Sequence, residues 1–281
     1  MGKRHVAILL ASERSGSTVF MRTLKNQGIR AIDEVFHPQR AWDLKLYPEV
    51  MRIASQVLEL KNSENFEIEA SKSFRREIMP IDFLTEVESM AACTNTHFIF
   101  SLFPSHLSLV QLATICSRFP VLVLVRSPID QYISTVKASK IGTYIGKDTT
   151  DIKPSIEADK FVAYWKFMQE GYCGALGLKY KQNEFCATAA SCPVITYESY
   201  AKLSPKEQVN FFTSTLSKYL TPEFIQNDKA GNSFQNVEIP YRQDRSDTSA
   251  MKISNWQSFL NSVRELGALK SLNEYYLLPS G

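Results

Sequence analysis

The sequence lacks the features that mark secreted proteins, proteins stabilised by a structural zinc ion, and membrane-spanning proteins. Its five cysteines contain no C-x-x-C pair and leave one residue unpaired, which argues against a disulfide framework and a structural zinc site. No apolar stretch approaches the roughly 20 residues that a membrane span requires. The apolar run at 6–11 is too short for a secretory signal, because Glu13 and Arg14 follow at once. We therefore expect a soluble protein in the reducing environment of the cytoplasm.

A large excess of either charge is also missing. The 32 lysines and arginines exceed the 29 aspartates and glutamates by three, too few for nucleic acid or an anionic membrane to be a bulk electrostatic partner. Apolar residues make up 44% and charged residues 22% of the 281 positions, which is typical of a folded chain. We expect residues 1–281 to form a single domain, in which a few placed residues would bind any anionic ligand.

Short apolar runs alternate with helical periodicity along the chain. The runs predict strands at 5–11, 66–70, 97–103, 121–125 and 194–197. The periodicity predicts helices at 17–27, 47–60, 107–118, 130–140, 159–178 and 205–220. Buried strands separated by helices are typical of an α/β three-layer sandwich with a central parallel sheet. Two aperiodic polar segments, 141–155 and 226–249, are predicted to be lid or acceptor-binding loops.

The first predicted strand leads into the sequence ASERSGST at 11–18. Arg14, Ser15, Gly16, Ser17 and Thr18 form a tight loop that enters a predicted helix. This arrangement aims backbone N–H groups and the helix dipole at a bound phosphate. The Walker A pattern is absent, since no glycine opens the loop and no lysine precedes Ser17. The loop therefore indicates an anion site and disfavours an enzyme that uses Mg-ATP or Mg-GTP.

A second candidate anion site follows the predicted strand VLVLV at 121–125. Arg126 comes directly after this strand, where its guanidinium can bind a phosphate through two parallel hydrogen bonds. Ser134, in the helix that follows, can offer its hydroxyl to the same anion. Because the carboxyl ends of parallel strands share one edge of a sheet, the two sites together suit a nucleotide with phosphates at both ends.

These two motifs resemble those of the sulfotransferases that use 3′-phosphoadenosine 5′-phosphosulfate (PAPS). The family's 5′-phosphosulfate loop is similar to RSGST at 14–18, and its 3′-phosphate motif pairs an arginine with a serine eight residues later, as in Arg126 and Ser134. The closer resemblance is to bacterial carbohydrate sulfotransferases of the trehalose 2-sulfotransferase type. It is carried by LASERSGST at 10–18, Gly28 followed by DEVF at 33–36, ITYE at 195–198, and RSD at 245–247 with Trp256.

The resemblance implies a P-loop NTPase-like sulfotransferase fold and transfer of a sulfuryl group from PAPS to a hydroxyl acceptor. We expect a carbohydrate or glycolipid acceptor and 3′,5′-adenosine bisphosphate as the leaving product. Arg14 and the N–H groups of 16–18 would stabilise the leaving phosphate. No metal is required, because the transferred group carries a single negative charge. Tyr197, at a strand end, can contact adenine, and the resemblance puts Arg245 in the loop that covers the nucleotide.

The acceptor hydroxyl must lose a proton, so a base is needed at that end of the site. Glu34 matches the position of the family's catalytic acidic residue and is the first candidate. His37 can act instead, since an unperturbed imidazole titrates near neutrality. His106 follows a predicted strand and can hydrogen-bond the acceptor, so the choice among the three stays open.

One departure from the family concerns the cation at the sulfuryl group. Many relatives carry a lysine in the strand and loop that here read FIFSLFPSHL at 98–107, and Ser101 is the residue expected at that place. Lys72 is a substitute candidate for the missing cation.

Three other functions are weighed against this one. A protein-tyrosine sulfotransferase would use the same donor site. A small-molecule kinase would require a Walker lysine and a magnesium-binding carboxylate that the sequence does not offer. A non-catalytic nucleotide- or polyanion-binding module would keep the anion site without turnover.

Overall fold

The computed structural model describes residues 4–26, 29–76, 78–142, 148–177, 192–201 and 248–268, together with 203–204, 207–208, 210–211 and 214. The strands are β1 (Val6–Leu10), β2 (Arg30–Ile32), β3 (Phe98–Leu102), β4 (Val121–Val125) and β5 (Val194–Thr196). The helices are α1 (Ser17–Asn26), α2 (Pro48–Val57), α3 (Phe66–Ser73), α4 (Met79–Thr94), α5 (Leu109–Arg118), α6 (Pro128–Ile141), α7 (Ala158–Ala175), α8 (Tyr197–Tyr200) and α9 (Trp256–Glu265).

The strands form one parallel sheet in the order β2-β3-β1-β4-β5. The central strand β1 pairs with β3, where Leu9 lies opposite Ser101, and with β4, where Leu9 lies opposite Leu122. The three middle strands are buried along their whole length, as expected for parallel strands covered on both faces. This confirms the predicted α/β fold with a central parallel sheet and a P-loop-like connection after its first strand.

Alternate strand residues build a hydrophobic core on each face of the sheet. The face that includes Ile8 and Phe100 packs against α2, α3, α4, α5 and α7. The opposite face, which includes Leu9, packs against α1 through Phe20 and against α8 through Tyr200. Helices on both faces give the predicted three layers.

The direction of the strands brings four loops and the start of α8 to one edge of the sheet. The loops begin at Ala11, Asp33, Phe103 and Arg126, and α8 begins at Tyr197, directly after β5. The carboxyl edge of a parallel sheet is where α/β proteins bind ligands. The described residues with a predicted site role lie in these loops or in α1, α6 and α8, except Ser101 in β3 and Lys72 in α3.

The alternating pattern of FEIEA at 66–70 predicts a strand, and this prediction is wrong. Phe66 and Ala70 are both fully buried on one side of α3, one helical turn apart, whereas Ile68 between them is 40% exposed. Burial at an interval of four residues is helical, and it overrides the period of two. The strand β2 was not predicted, because its three residues are too few for a recognisable apolar run.

The remaining predicted elements agree with the structure where it describes them. Most of the predicted helix at 205–220, nearly all of the predicted loop at 226–249, and positions 143–147 of the loop at 141–155 lie outside the described residues. The described cysteines, Cys93, Cys116, Cys173 and Cys192, are free thiols. None of the described helices combines the length and the hydrophobicity that crossing a membrane demands.

The segment 248–268 packs on α6 and α7. Phe259 and Val263 of α9 join a third apolar cluster with Ile133 and Phe161. Asp130, in the first turn of α6, accepts hydrogen bonds from Ser249 and Lys252, each 2.8 Å long. This contact ties the segment beside α9 to the helix that follows Arg126.

Candidate active site

The loop between β1 and α1 has a backbone that only particular residues tolerate. Gly16 has a φ of 93°, and a Cβ atom on it would lie 2.4 Å from Cδ2 of Tyr197, so a side chain is excluded there. Arg14 has a φ of 63°, in the left-handed region that costs a non-glycine residue free energy. Strained backbone of this kind clusters at ligand sites, and here it precedes the N-terminus of α1.

The same loop is anchored from beneath by buried polar contacts. The Tyr172 hydroxyl of α7 donates to Ser12 Oγ at 3.1 Å or to the Leu124 carbonyl oxygen at 3.0 Å. Gln131 of α6 donates to Ser12 Oγ and to the Glu13 carbonyl oxygen. These contacts position the loop relative to β4 and α6, which carry the second anion motif.

Arg126 lies against this loop. Its Nη1 donates to the Arg14 carbonyl oxygen at 3.0 Å, and its guanidinium carbon lies 4.5 Å from the centre of the Tyr197 ring. Its Nε is buried and has no hydrogen-bond partner within the described residues, and the same holds for Ser15 Oγ. A buried N–H of a charged group without an acceptor is costly, so this corner is suited to receive an anion.

Arg14 connects the two predicted anion motifs directly. Its Nε donates to Ser134 Oγ at 3.0 Å. The guanidinium of the first motif therefore touches the serine of the second, and both anion motifs form one continuous surface. The donors available to an anion are two guanidinium groups, the hydroxyls of Ser15 and Ser134, and the first N–H groups of α1.

The acceptor-side candidate Glu34 lies in the loop after β2, held in place by Ser101. The Glu34 backbone N–H donates to Ser101 Oγ at 2.7 Å, and Ser101 Oγ donates to Asp33 Oδ1 at 2.6 Å. The Asp33 N–H in turn donates to Asp43 Oδ2 at 2.9 Å. Glu34 itself has a φ of 48°, so it shares with Arg14 a left-handed backbone conformation.

Burial dominates the electrostatics of Glu34. Burial, followed in order of size by the neighbouring carboxyls of Asp33, Glu13 and Asp43, raises the pKa of this carboxyl to about 8. Burial also raises the pKa of Asp33, although the hydrogen bond from Ser101 opposes the shift. Glu13 accepts a hydrogen bond from Ser105, so the loops after β1 and β3 meet beside Glu34.

Two histidines complete this side of the site. His106 Nε2 lies 4.0 Å from Glu34 Oε2, and the His106 ring stacks on Phe103 with centroids 4.6 Å apart. The His37 ring meets the His106 ring edge-on at 5.0 Å. Burial lowers the pKa of His106 to about 3 and lowers that of His37 as well, so both rings are neutral at physiological pH.

The structure places the remaining predicted residues as follows. Ser17 begins α1 as a buried residue, and Thr18 follows it half-buried. Tyr197 begins α8 and supports Arg126, while its neighbour Glu198 accepts from the Ser127 N–H at 2.9 Å. Lys72 is exposed in the last turn of α3. Arg245 lies outside the described residues.

Sequence reasoning missed three contributors to the site. The sequence marks Ser101 only as the residue at the place of a family cation, whereas its hydroxyl holds the loop that carries Glu34. Ser12 lies within LASERSGST at 10–18, but the motif predicts no contact for it, and Tyr172 stands in no motif. The contact between them forms only because α7 packs beneath β1.

No protein-family model and no curated protein matches the chain. Among solved structures, the chain is similar to a retinol dehydratase in complex with retinol and PAP, with a TM-score of 0.38 and 16% identity over 98% of this chain and 82% of that one. It is also similar to retinol dehydratase in complex with androsterone and inactive cofactor PAP, with a TM-score of 0.35 and 14% identity over 96% and 80%.

Proposed function

We propose that this protein is a sulfotransferase that moves a sulfuryl group from PAPS to a hydroxyl acceptor, with Glu34 as the base. The observation that carries the proposal is the meeting of Arg14, Arg126 and Ser134 at the carboxyl edge of the sheet, beside the N-terminus of α1. Two guanidinium groups and a helix N-terminus suit a ligand with more than one anionic group. The motifs RSGST and Arg126-Ser134 support PAPS as that ligand.

The resemblance of the two motifs to those of PAPS-dependent sulfotransferases suggests which residues bind each end of the nucleotide. Arg126 and Ser134 bind the 3′-phosphate, and the N–H groups of 16–18 with Ser15 bind the 5′-phosphate. Arg14 lies between them, because it contacts Ser134 through its side chain and Arg126 through its carbonyl oxygen. The face of Tyr197 is covered by Arg126, so an adenine contact would use the ring's other face or its edge.

Sulfuryl transfer needs a nucleophile opposite the leaving phosphate. The acceptor oxygen forms a bond to sulfur while the bond from sulfur to the bridging phosphate oxygen breaks, and Glu34 takes the hydroxyl proton. A carboxyl with a pKa of about 8 is a stronger base than an ordinary glutamate. The leaving 3′,5′-adenosine bisphosphate gains charge, which the donors around Arg14 stabilise. His106, neutral and 4.0 Å from Glu34, orients the acceptor hydroxyl.

The acceptor is proposed to be a carbohydrate or glycolipid. The side of the site around Glu34 presents carboxyl and imidazole groups, namely Glu13, Asp33, His37 and His106. Such groups hydrogen-bond several neighbouring hydroxyls. We further propose that 1–281 is one cytoplasmic domain and that 141–155 and 226–249, with Arg245, cover the bound substrates.

The proposal is tested with PAPS labelled in its sulfuryl group. Purified protein is incubated separately with polar metabolite, lipid and protein fractions, and each fraction is searched by mass spectrometry for added sulfuryl groups. Labelled product in the polar or lipid fraction supports the proposal. Label on protein tyrosine would make the protein a tyrosine sulfotransferase. Tight binding of the bisphosphate with no labelled product in any fraction would make it a binding module.

A further inference from the structure

Three side chains that can each bind a metal ion meet beside the proposed acceptor site. One ligand atom each from Glu34, His37 and His106 lies within 4.8 Å of the other two. The three residues come from two loops, those after β2 and β3, which the parallel sheet brings to the same edge. Neither the sequence motifs nor the proposed transfer reaction requires His37 at this position.

His106 supplies a second, independent observation. The residue is only 7% exposed, and neither of its ring nitrogens has a hydrogen-bond partner within the described residues. Buried imidazoles are almost always hydrogen-bonded, because an unpaired polar atom costs about 1–3 kcal/mol. Its Nε2 faces the Glu34 carboxylate at 4.0 Å, which is too long for a hydrogen bond and leaves room for an atom between them.

We propose that Glu34, His37 and His106 bind a divalent cation of the zinc class, and that the bound ion inhibits the proposed transfer by occupying the Glu34 carboxylate. Two imidazoles and one carboxylate are a ligand set that zinc accepts, whereas magnesium and calcium prefer oxygen ligands alone. Tetrahedral zinc with bonds near 2.0–2.1 Å separates its ligand atoms by about 3.3 Å, so side-chain rotations must bring the three groups closer.

The surroundings favour a cation. The carboxyls of Glu13 and Asp33 interact electrostatically with Glu34, and a bound cation would relieve the repulsion among them. Ser101 fixes the backbone of Glu34. His37 Nδ1 accepts a solvent-exposed hydrogen bond of 3.2 Å from the Gln39 N–H. Coordination of the ion through Nε2 would move the ring proton to Nδ1. The Gln39 N–H would then donate to water instead.

The binding part of this inference stands apart from the proposed function, and only the inhibitory part rests on it. The same carboxylate cannot take a proton from the acceptor while it coordinates an ion. Zinc would therefore lower turnover, and removal of trace metal would preserve or raise it.

Binding is measured on the full-length, untagged, metal-stripped protein by competition with a chromophoric chelator for Zn²⁺. One ion per chain is expected, with at least about tenfold weaker binding in His37→Ala and in His106→Gln. The matched control is His97→Gln. His97 is only 6% exposed and directly precedes β3, at the end of the strand away from the cluster. If His106→Gln does not fold, His37→Ala at its half-buried loop position carries the test. Zn²⁺ binding that survives the loss of both histidines, or that falls equally in His97→Gln, would overturn the site.

X-ray absorption of the zinc-loaded protein gives a structural reading. Each imidazole in the coordination sphere produces outer-shell scattering. The native chain should show the contribution of two imidazoles, and His37→Ala should show that of one. A sphere of oxygen atoms alone would contradict the assignment.

Turnover with labelled PAPS tests the inhibitory part. Saturating Zn²⁺ should suppress it and a chelator should restore it, and His37→Ala should require at least about tenfold more Zn²⁺. Unchanged turnover in zinc-saturated protein would overturn inhibition. Because the binding measurement needs no turnover, an inactive protein that still binds zinc through these residues would refute the proposed function and leave the site intact.

Discussion

The Arg14 side chain donates to the Ser134 hydroxyl at 3.0 Å, although 120 positions separate the two residues in the chain. The loop after the central strand and the helix after β4 are thereby joined at a single polar contact. The Arg126 side chain makes a second contact with the loop after the central strand, because it donates a hydrogen bond to the carbonyl oxygen of Arg14. Residues of the two motifs are therefore in direct contact with each other.

The first prediction concerns Arg126. Arg126→Ala should weaken binding of 3′,5′-bisphosphate nucleotides much more than that of 5′-monophosphates, because the lost guanidinium contacts serve the 3′ group. Ser134→Ala should have a milder effect of the same kind. Titration calorimetry with both ligands measures the difference, and Arg118→Ala, an exposed arginine at the end of α5, is the control. Equal losses for the two ligands would remove Arg126 from the 3′ site.

The second prediction concerns the shape of the anion loop. Gly16→Ala should abolish nucleotide binding and destabilise the fold, since its Cβ would lie 2.4 Å from the Tyr197 ring. Gly177→Ala is the matched control, because Gly177 also has a positive φ of 66° but no atom within 4 Å of its Cβ position. The control should lose only about 1–2 kcal/mol of stability to backbone strain. If both variants bind nucleotide normally, the close approach of Tyr197 is not required.

The third prediction concerns the base. Glu34→Gln should keep PAPS affinity and lose about a hundredfold or more in turnover, the scale of general-base catalysis. His37→Ala should be much less affected, because the proposed mechanism gives His37 no part in the proton transfer. The two variants are compared by kcat and by nucleotide affinity. Near-normal turnover in Glu34→Gln with an inactive His37→Ala would assign the base to His37.

The pH dependence provides a separate test of the same residue. Glu34 must be deprotonated to act, so kcat/KM should fall as the pH drops through about 8, the pKa of Glu34. A histidine base would place this limb below neutrality, because burial lowers the pKa of His37 and that of His106. In this site the pKa of the Glu34 carboxyl is therefore higher than the pKa values of the two imidazoles, the reverse of the usual order. A limb well below neutrality would exclude Glu34 as the base.

Folding stability should show the same raised pKa. The pKa of Glu34 is higher in the folded than in the unfolded chain, so the folded state binds the proton more tightly and its stability declines as the pH rises from about 4.5 to about 8. Glu34→Gln lacks this titration. The melting temperature of Glu34→Gln minus that of the native chain should increase as the pH rises through this window. Above about pH 8 the difference should stay constant. A difference that is independent of pH would show that Glu34 titrates normally.

The last prediction about a single residue concerns Ser101. Ser101→Ala should lower turnover without weakening nucleotide binding, because it releases the Glu34 N–H and the Asp33 carboxyl from their shared hydroxyl. Loss of these buried contacts should cost about 1–3 kcal/mol of stability. Ser117→Ala, at an exposed position in α5, is the control. A Ser101→Ala variant with native stability and turnover would show that the hydroxyl does not position the loop.

The parts of the fold that sequence predicts well are those with uniform burial. VLVLV at 121–125 and the apolar run in β1 are buried on both faces, so composition alone identifies them. The segment 66–70 resembles a strand in its sequence because the acidic residue Glu67 occupies a buried position of α3, where it forms an ion pair with Arg40. This partner is distant in the sequence, so the local pattern of residues does not reveal it.

The candidate site divides in the same way. Gly16 and Arg14 are recognisable because a phosphate loop demands particular residues in consecutive positions. Ser101, Ser12 and Tyr172 act through contacts between distant segments, and no local spacing marks them. The raised pKa of Glu34 likewise arises from burial and from carboxyls in other loops. The sequence therefore predicts the candidate anion loop, whereas the environment of Glu34 is visible only in the structure.

The most direct test of the central claim is the acceptor-dependent release of 3′,5′-adenosine bisphosphate from PAPS, with the sulfuryl group recovered on a hydroxyl. The native chain, Glu34→Gln and Arg126→Ala are compared under identical conditions with the acceptor fraction that gives labelled product. We predict turnover by the native chain, tight nucleotide binding without turnover in Glu34→Gln, and weak nucleotide binding in Arg126→Ala. Binding of the bisphosphate by the native chain with no sulfuryl group on any acceptor would contradict the account.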